Sequence, residues 1–158
     1  MRNKNKDPYV VDIVSIQRLV NEWVNHKSLI IAYDYDNTVF DYHNLGYEFD
    51  FVIDLLRESK KYGAKFIVYS CSPVSRYGEM GEYLNSNNIP FDTINENIIE
   101  LHGGSGKLFY NIFLDDRAGL KSAYSVLHAA VSVMKEEPSD EKEAFEILKT
   151  IYGNRATY

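Results

Sequence analysis

The apolar positions of this chain change period several times, and each change marks an element. Between Val11 and about His26, the residues Ile13, Ile16, Leu19, Val20, Trp23 and Val24 recur at helical spacing. Ser28 then leads into LIIAY, a continuous apolar run that ends on Asp34 and reads as a strand buried on both faces. A second helical pattern, carried by Phe49, Val52, Ile53 and Leu56, runs from Tyr47 to Tyr62 and stops at Gly63, a residue suited to capping a helix. KFIVYS follows as a second strand. Val74 to Asn87 reads as helix, Ile89-Pro90 as a turn into the short segment FDTIN, and LFYNIFL as a third buried run ending at Asp115-Asp116. Two more helices, Gly119 to Met134 and Ser139 to Tyr152, are separated by Pro138.

Alternating helix and strand predicts an α/β fold, a three-layer α/β/α Rossmann-like sandwich with helices on both faces of a parallel sheet. Its central strands are expected at about 29–34, 65–70 and 110–115. No repeat or Pro/Gly-rich linker interrupts the pattern. Residues 1–158 therefore read as a single domain, with a helical extension over 1–27, a core over about 28–135 and a final helix over 139–152. In such sheets ligands bind beyond the carboxyl ends of the strands. The polar clusters DYDNT, SCS and DDR fall at those ends.

Composition narrows the function classes. With 45% hydrophobic and 25% charged residues the chain suits a globular protein rather than a disordered one. A net charge of −6 argues against a broad nucleic-acid or anionic-membrane footprint. It leaves a small phosphorylated substrate, or the phosphorylated end of a nucleic acid, open, because a metal ion reverses the local field. No stretch approaches the ~20 apolar residues of a membrane span, and no apolar run follows the basic N-terminus as in a secretory signal. Cys71 is the single cysteine, so no internal disulfide can form and a cytoplasmic location is expected.

The chemistry concentrates in LIIAYDYDNTVF. Asp34 and Asp36 leave a buried strand where aspartate adds nothing to sheet stability and is costly to bury unpaired. Carboxylates gathered in one crevice are what a hard divalent cation such as Mg²⁺ requires. Asn37 sits where the chain must turn and tolerates positive φ, and the Thr38 hydroxyl is suited to closing that turn.

These residues carry a resemblance to the haloacid-dehalogenase-like superfamily. DYDNT at 34–38 is similar to its first motif, DxDx(T/V), with asparagine for the common glycine. KFIVYS ending on Ser70 is similar to the second motif, Lys107 in GKLFYNIFLDD to the third-motif lysine, and Asp115-Asp116 to the acidic fourth motif. Each motif alone is weak; together, in order and on the expected strands over roughly 28–135, they are specific. IPFDTINEN with KLFYNIFLDDRAGL also resembles a narrower group of small bacterial and phage members. One departure stands out: Ser72 occupies the position soon after the second motif where an arginine is common, and Arg76 comes later.

The resemblance implies a Mg²⁺-dependent phosphatase without a large cap domain. Asp34 would be the nucleophile that forms an aspartyl-phosphate, and Asp36 the general acid and then base. Asp34, Asp115 and the Asp36 backbone carbonyl would hold Mg²⁺, with Asp116 a further ligand or a support. Ser70 and Lys107, helped by Asn37 and Thr38, would bind the phosphoryl group. A phosphotransferase of the same fold and a non-catalytic phosphate- or partner-binding module are the alternatives. An open site is expected to take its cover, if any, from a neighbouring subunit, and the aromatic loop Phe40–Tyr47 with Tyr77 offers stacking surfaces.

Several other residues are expected to be structural. GGSGK is followed by Leu108 and fails the phosphate-loop pattern. His43 and His102 read as surface residues, Cys71 as a buried inert thiol, and Arg117 either as a partner of a site acid or as a surface charge.

Overall fold

A computed structural model describes residues 8–100 and 106–153. Helix α1 spans Asp12–His26 and buries Ile16, Leu19, Val20, Trp23 and Val24, the stripe that its periodicity marks. It ends at Lys27 in a left-handed conformation, and strand β1 follows over Ile30–Asp34. Helix α2 covers Asp50–Lys61 and strand β2 Lys65–Tyr69. Gly63 joins them at φ 84°, where a Cβ would stand 2.8 Å from the Lys27 carbonyl oxygen, so both backbone angle and space require glycine. Trp23 locks the same corner by donating its indole N–H to the Tyr62 carbonyl at 2.7 Å.

The rest of the chain alternates as expected, with shorter pieces. A single 3₁₀ turn at Val74–Arg76 precedes helix α3, Tyr77–Ser86. Strand β3 is only Thr93–Ile94, inside FDTIN, and strand β4 is Ile112–Leu114. Helices α4, Leu120–Met134, and α5, Glu141–Tyr152, close the described chain. Asp140 caps α5 by accepting from the Glu143 N–H at 2.8 Å. No helix among the described residues is long and apolar enough to cross a membrane.

The fold is α/β and Rossmann-like, with a four-stranded all-parallel sheet in the order β3-β2-β1-β4 and, among the described residues, five α-helices. The two faces of the sheet are covered differently. Ile31, Tyr33, Phe66, Val68 and Leu114 join a main core to which every one of the five helices contributes. Ile30, Ala32 and Ile67 on the other face form a smaller cluster with Ile98, Leu108, Tyr110 and Phe113, and no helix contributes to it. Helices on both faces were the expectation. Among the described residues the second face is instead covered by the irregular crossover between β3 and β4, where the sequence holds no helical period.

Chain order fixes the place of the site. From β1 the chain steps to β2 and β3 on one side, then crosses back to lay β4 along the other side of β1. The strand order therefore reverses between β1 and β4, the place where ligands bind beyond the carboxyl ends of parallel strands. Asp34 ends β1, and Asp115-Asp116 follow β4.

Candidate active site

Register brings the acids together. Tyr33 pairs with Leu114, so Asp34 and Asp115 come next on adjacent parallel strands. Carboxylate oxygens of Asp34, Asp115 and Asp116 all lie within 4.8 Å of one another. The fold pays electrostatically for this. Burial and then the charges of Asp115, Asp116 and Asp36 push the Asp34 carboxyl from 3.8 up to about 7, against a smaller opposing bond from the Tyr35 N–H. Asp116 is raised as well, by burial and then by Asp115, while the neighbouring Arg117 charge pulls it down. Arg117 is thus both exposed and electrostatically coupled to a site acid.

The loop after β1 is held from inside. Tyr35 turns into the core and stacks on Phe40 at 5.0 Å, and the Val39 and Phe40 N–H groups both donate to the Tyr35 carbonyl. Asn37 adopts φ 58°, the left-handed conformation expected of it, and donates its N–H to the Phe40 carbonyl at 2.7 Å. Thr38 departs from expectation. Its side chain is fully enclosed, and its hydroxyl does not close its own turn but accepts from the Asp116 N–H at 3.2 Å. That bond ties the loop after β1 to the loop after β4, a long-range pairing that local turn chemistry cannot disclose.

Asp36 lies between these anchors, and its Oδ1 is buried without a hydrogen-bond partner. A buried unpaired oxygen costs about 1–3 kcal/mol, which is tolerated where a ligand completes the site. Asp115 is oriented by its own loop: its Oδ1 accepts from the Arg117 N–H at 2.8 Å.

Ser70 leaves β2 one residue beyond Tyr69, the register partner of Asp34, at the same carboxyl end of the sheet. It is 8% exposed, and its Oγ accepts from the Ser72 N–H at 3.1 Å. Lys107 is exposed, and its carbonyl accepts from the Asn97 amide at 3.5 Å while Asn97 Oδ1 accepts from the Phe109 N–H at 2.7 Å. Asn97 is two residues past Asn95, whose side chain bonds the Ser70 backbone. The Lys107 backbone is thereby tethered to the Ser70 end of the sheet.

No protein-family model matches the chain, and no curated protein matches it. A solved structure described as a conserved protein coded by a locus from Bacteroides thetaiotaomicron is similar. The two share 25% identity with a TM-score of 0.53, and the match covers 70% of this chain and 93% of that one. The likeness supports the α/β architecture, and that description names no activity.

Other side chains settle differently. Cys71 is exposed rather than buried, because the chain leaves the sheet at that residue. His43 is exposed as expected, whereas His102 and residues 103–105 of the GGSG stretch lie outside the described residues. Phe40 packs between Tyr35 and Tyr83, and the Tyr77 hydroxyl accepts from the Asn95 side chain. Tyr42 and Tyr47 remain exposed on a loop that Asp41 braces by accepting from the Gly46 and Tyr47 N–H groups. Arg76 donates to Ser72 Oγ at 3.3 Å and lies 3.8 Å from Glu79, roles within its own turn. Sequence reasoning did not single out Asn95. Its one advance signal was an asparagine directly after a strand-like segment, a residue that accepts left-handed backbone.

Proposed function

We propose that this chain is a Mg²⁺-dependent phosphomonoester hydrolase of the haloacid-dehalogenase-like type, working through an aspartyl-phosphate on Asp34. The observation that carries the reading is the Asp34, Asp115 and Asp116 cluster at the carboxyl end of a parallel sheet, within 4.8 Å. An all-carboxylate donor set suits a hard cation that takes oxygen ligands, and after burial the upward push on the Asp34 carboxyl comes from neighbouring acids whose charge a cation would relieve. Asp34, Asp115, Asp116 and the Asp36 carbonyl would hold Mg²⁺. When bound, Mg²⁺ supplies charge neutralisation and polarises the phosphoryl group.

The chain's own residues do the rest. An Asp34 carboxylate oxygen attacks phosphorus while the opposite P–O bond to the leaving group breaks, and Asp36 gives its proton to the departing oxygen. Water then attacks the phosphorus and passes a proton to Asp36. The P–O bond to Asp34 breaks, inorganic phosphate leaves and the carboxylate is restored. The unpartnered, buried Asp36 Oδ1 supports this role, since its missing partner is where a leaving-group oxygen would belong. The Ser70 hydroxyl and the Lys107 ammonium would grip the non-bridging oxygens.

The substrate is a small phosphate ester, such as a nucleotide, in preference to a nucleic-acid terminal phosphate, because a net charge of −6 gives polynucleotides no long-range attraction. A panel of nucleotides, sugar phosphates, aryl phosphates and a 3′-phosphorylated oligonucleotide, assayed with Mg²⁺ and with EDTA, tests the reading. Turnover that needs Mg²⁺ and releases inorganic phosphate supports it. Transfer to an added alcohol without phosphate release would make the chain a phosphotransferase, and phosphate binding without turnover a binding module.

A further inference from the structure

We infer that Asn95 is a positioning residue for Ser70, fixing the hydroxyl that grips the phosphoryl group; the inference rests on the phosphatase reading above. Strand β3 is only Thr93–Ile94, too short to hold the end of β2 by ladder bonds alone. Asn95 continues the pairing with its side chain. Its N–H donates to the Val68 carbonyl at 2.8 Å, its Oδ1 accepts from the Ser70 N–H at 2.9 Å, and its Nδ2 donates to the Ser70 carbonyl at 2.6 Å. The second amide proton goes to the Tyr77 hydroxyl at 2.6 Å, at the start of α3. Both carboxamide protons are thus committed, and the group is clamped at two elements.

Asparagine meets two demands at this position. The backbone stands at φ 54°, which favours glycine and asparagine, and the clamp needs an acceptor and two donors in one planar group. Glycine satisfies only the first demand and aspartate only part of the second.

The consequence falls on Ser70. Its backbone N–H and C=O are both consumed by Asn95, so the peptide planes on either side of its Cα are held and the N–H cannot itself grip a ligand. Its Oγ accepts from the Ser72 N–H at 3.1 Å, which leaves the hydroxyl proton as the group to offer a phosphoryl oxygen. Asn95 therefore holds the backbone from which that hydroxyl projects, without itself reaching the chemistry. Displacement of a gripping group by about 1 Å costs on the order of 10² in rate.

The test is a double-mutant cycle on the full chain with Mg²⁺ and p-nitrophenyl phosphate, using inorganic phosphate as the competing probe and thermal melts alongside. Asn95→Gly should lower kcat by about 30-fold or more and weaken inhibition by phosphate. In a Ser70→Ala background the same change should cost less than about 2-fold, because residues acting as a unit are not additive. Asn95→Asp, which keeps the acceptor for the Ser70 N–H, should recover part of the loss. If Asn95→Gly does not fold, Asn95→Asp carries the same cycle: a loss that vanishes with Ser70→Ala supports positioning. Losses that multiply in the double variant, or an Asn95→Gly protein with wild-type kcat, would overturn it. A wild-type chain that neither turns over phosphate esters nor binds phosphate with Mg²⁺ would overturn the phosphatase reading, and this one with it.

Discussion

Replacing the proposed nucleophile should make the metal-free protein more stable. In Asp34→Asn the side chain keeps its shape and loses the charge that Asp115, Asp116 and Asp36 oppose. The Asp34 carboxyl is raised from 3.8 to about 7, so the fold favours its protonated form. Its contribution to stability is complete below the unfolded value of 3.8 and is lost as pH climbs through about 7. At about 1.4 kcal/mol per pH unit, that rise bounds the cost above neutrality at about 4 kcal/mol. Asp34 is only partly buried, and solvent screening reduces the figure to ~2 kcal/mol. For a chain of this length ~2 kcal/mol corresponds to a melting shift of about 4–8 °C. Thermal melts in EDTA at about pH 8 should show the variant higher by that amount, and melts at about pH 4 should show the two nearly equal. Adding Mg²⁺ should raise the wild type and leave the variant largely unmoved. A variant that melts below wild type in EDTA at the higher pH, or by the same margin at both, would refute the electrostatic reasoning.

Further outcomes follow from the same geometry. Asp36→Asn should slow turnover by roughly 10² or more, the scale of losing a general acid and base, which steady-state kinetics will read. Mg²⁺ should bind more tightly as pH rises through about 7 and release a proton on binding, since the Asp34 carboxyl must ionise; calorimetry in buffers of different ionisation enthalpy measures that proton. Thr38→Val should strand the Asp116 N–H, cost about 1–3 kcal/mol in chemical melts and weaken Mg²⁺ binding, with Thr38→Ser restoring both.

Much of the fold was legible because its signals are local. The α1 stripe and the apolar runs that form β1 and β2 are continuous in the chain, and Gly63 marks a corner that only glycine can turn. The aspartates were legible as candidates for an energetic reason: acids at the ends of buried strands add nothing to the sheet, and the register sets Asp34 and Asp115 next to each other. What stayed hidden depends on pairing across the sheet. The run 110–115 contains a strand of only Ile112–Leu114, because the Asn111 side chain takes over the pairing with Ile30 while Tyr110 folds onto the second face. The Thr38 hydroxyl reaches Asp116, and Asn95 reaches Ser70; neither partner is near in sequence, and neither residue announces its bond by type alone. Phe40 is held against Tyr83 rather than standing free on its loop, and the Tyr77 hydroxyl is taken by Asn95, contacts that local sequence does not disclose.

The central claim is that Asp34 carries the phosphoryl group during turnover. Quenching a Mg²⁺-supported reaction in hydroxylamine and mapping the peptides by mass spectrometry tests it directly. The account predicts a hydroxamate on Asp34 in wild type, none in the EDTA control and none on Asp36, Asp115 or Asp116. Mg²⁺-dependent turnover with the Asp34 peptide unmodified, or with wild-type rates in Asp34→Asn, would contradict it.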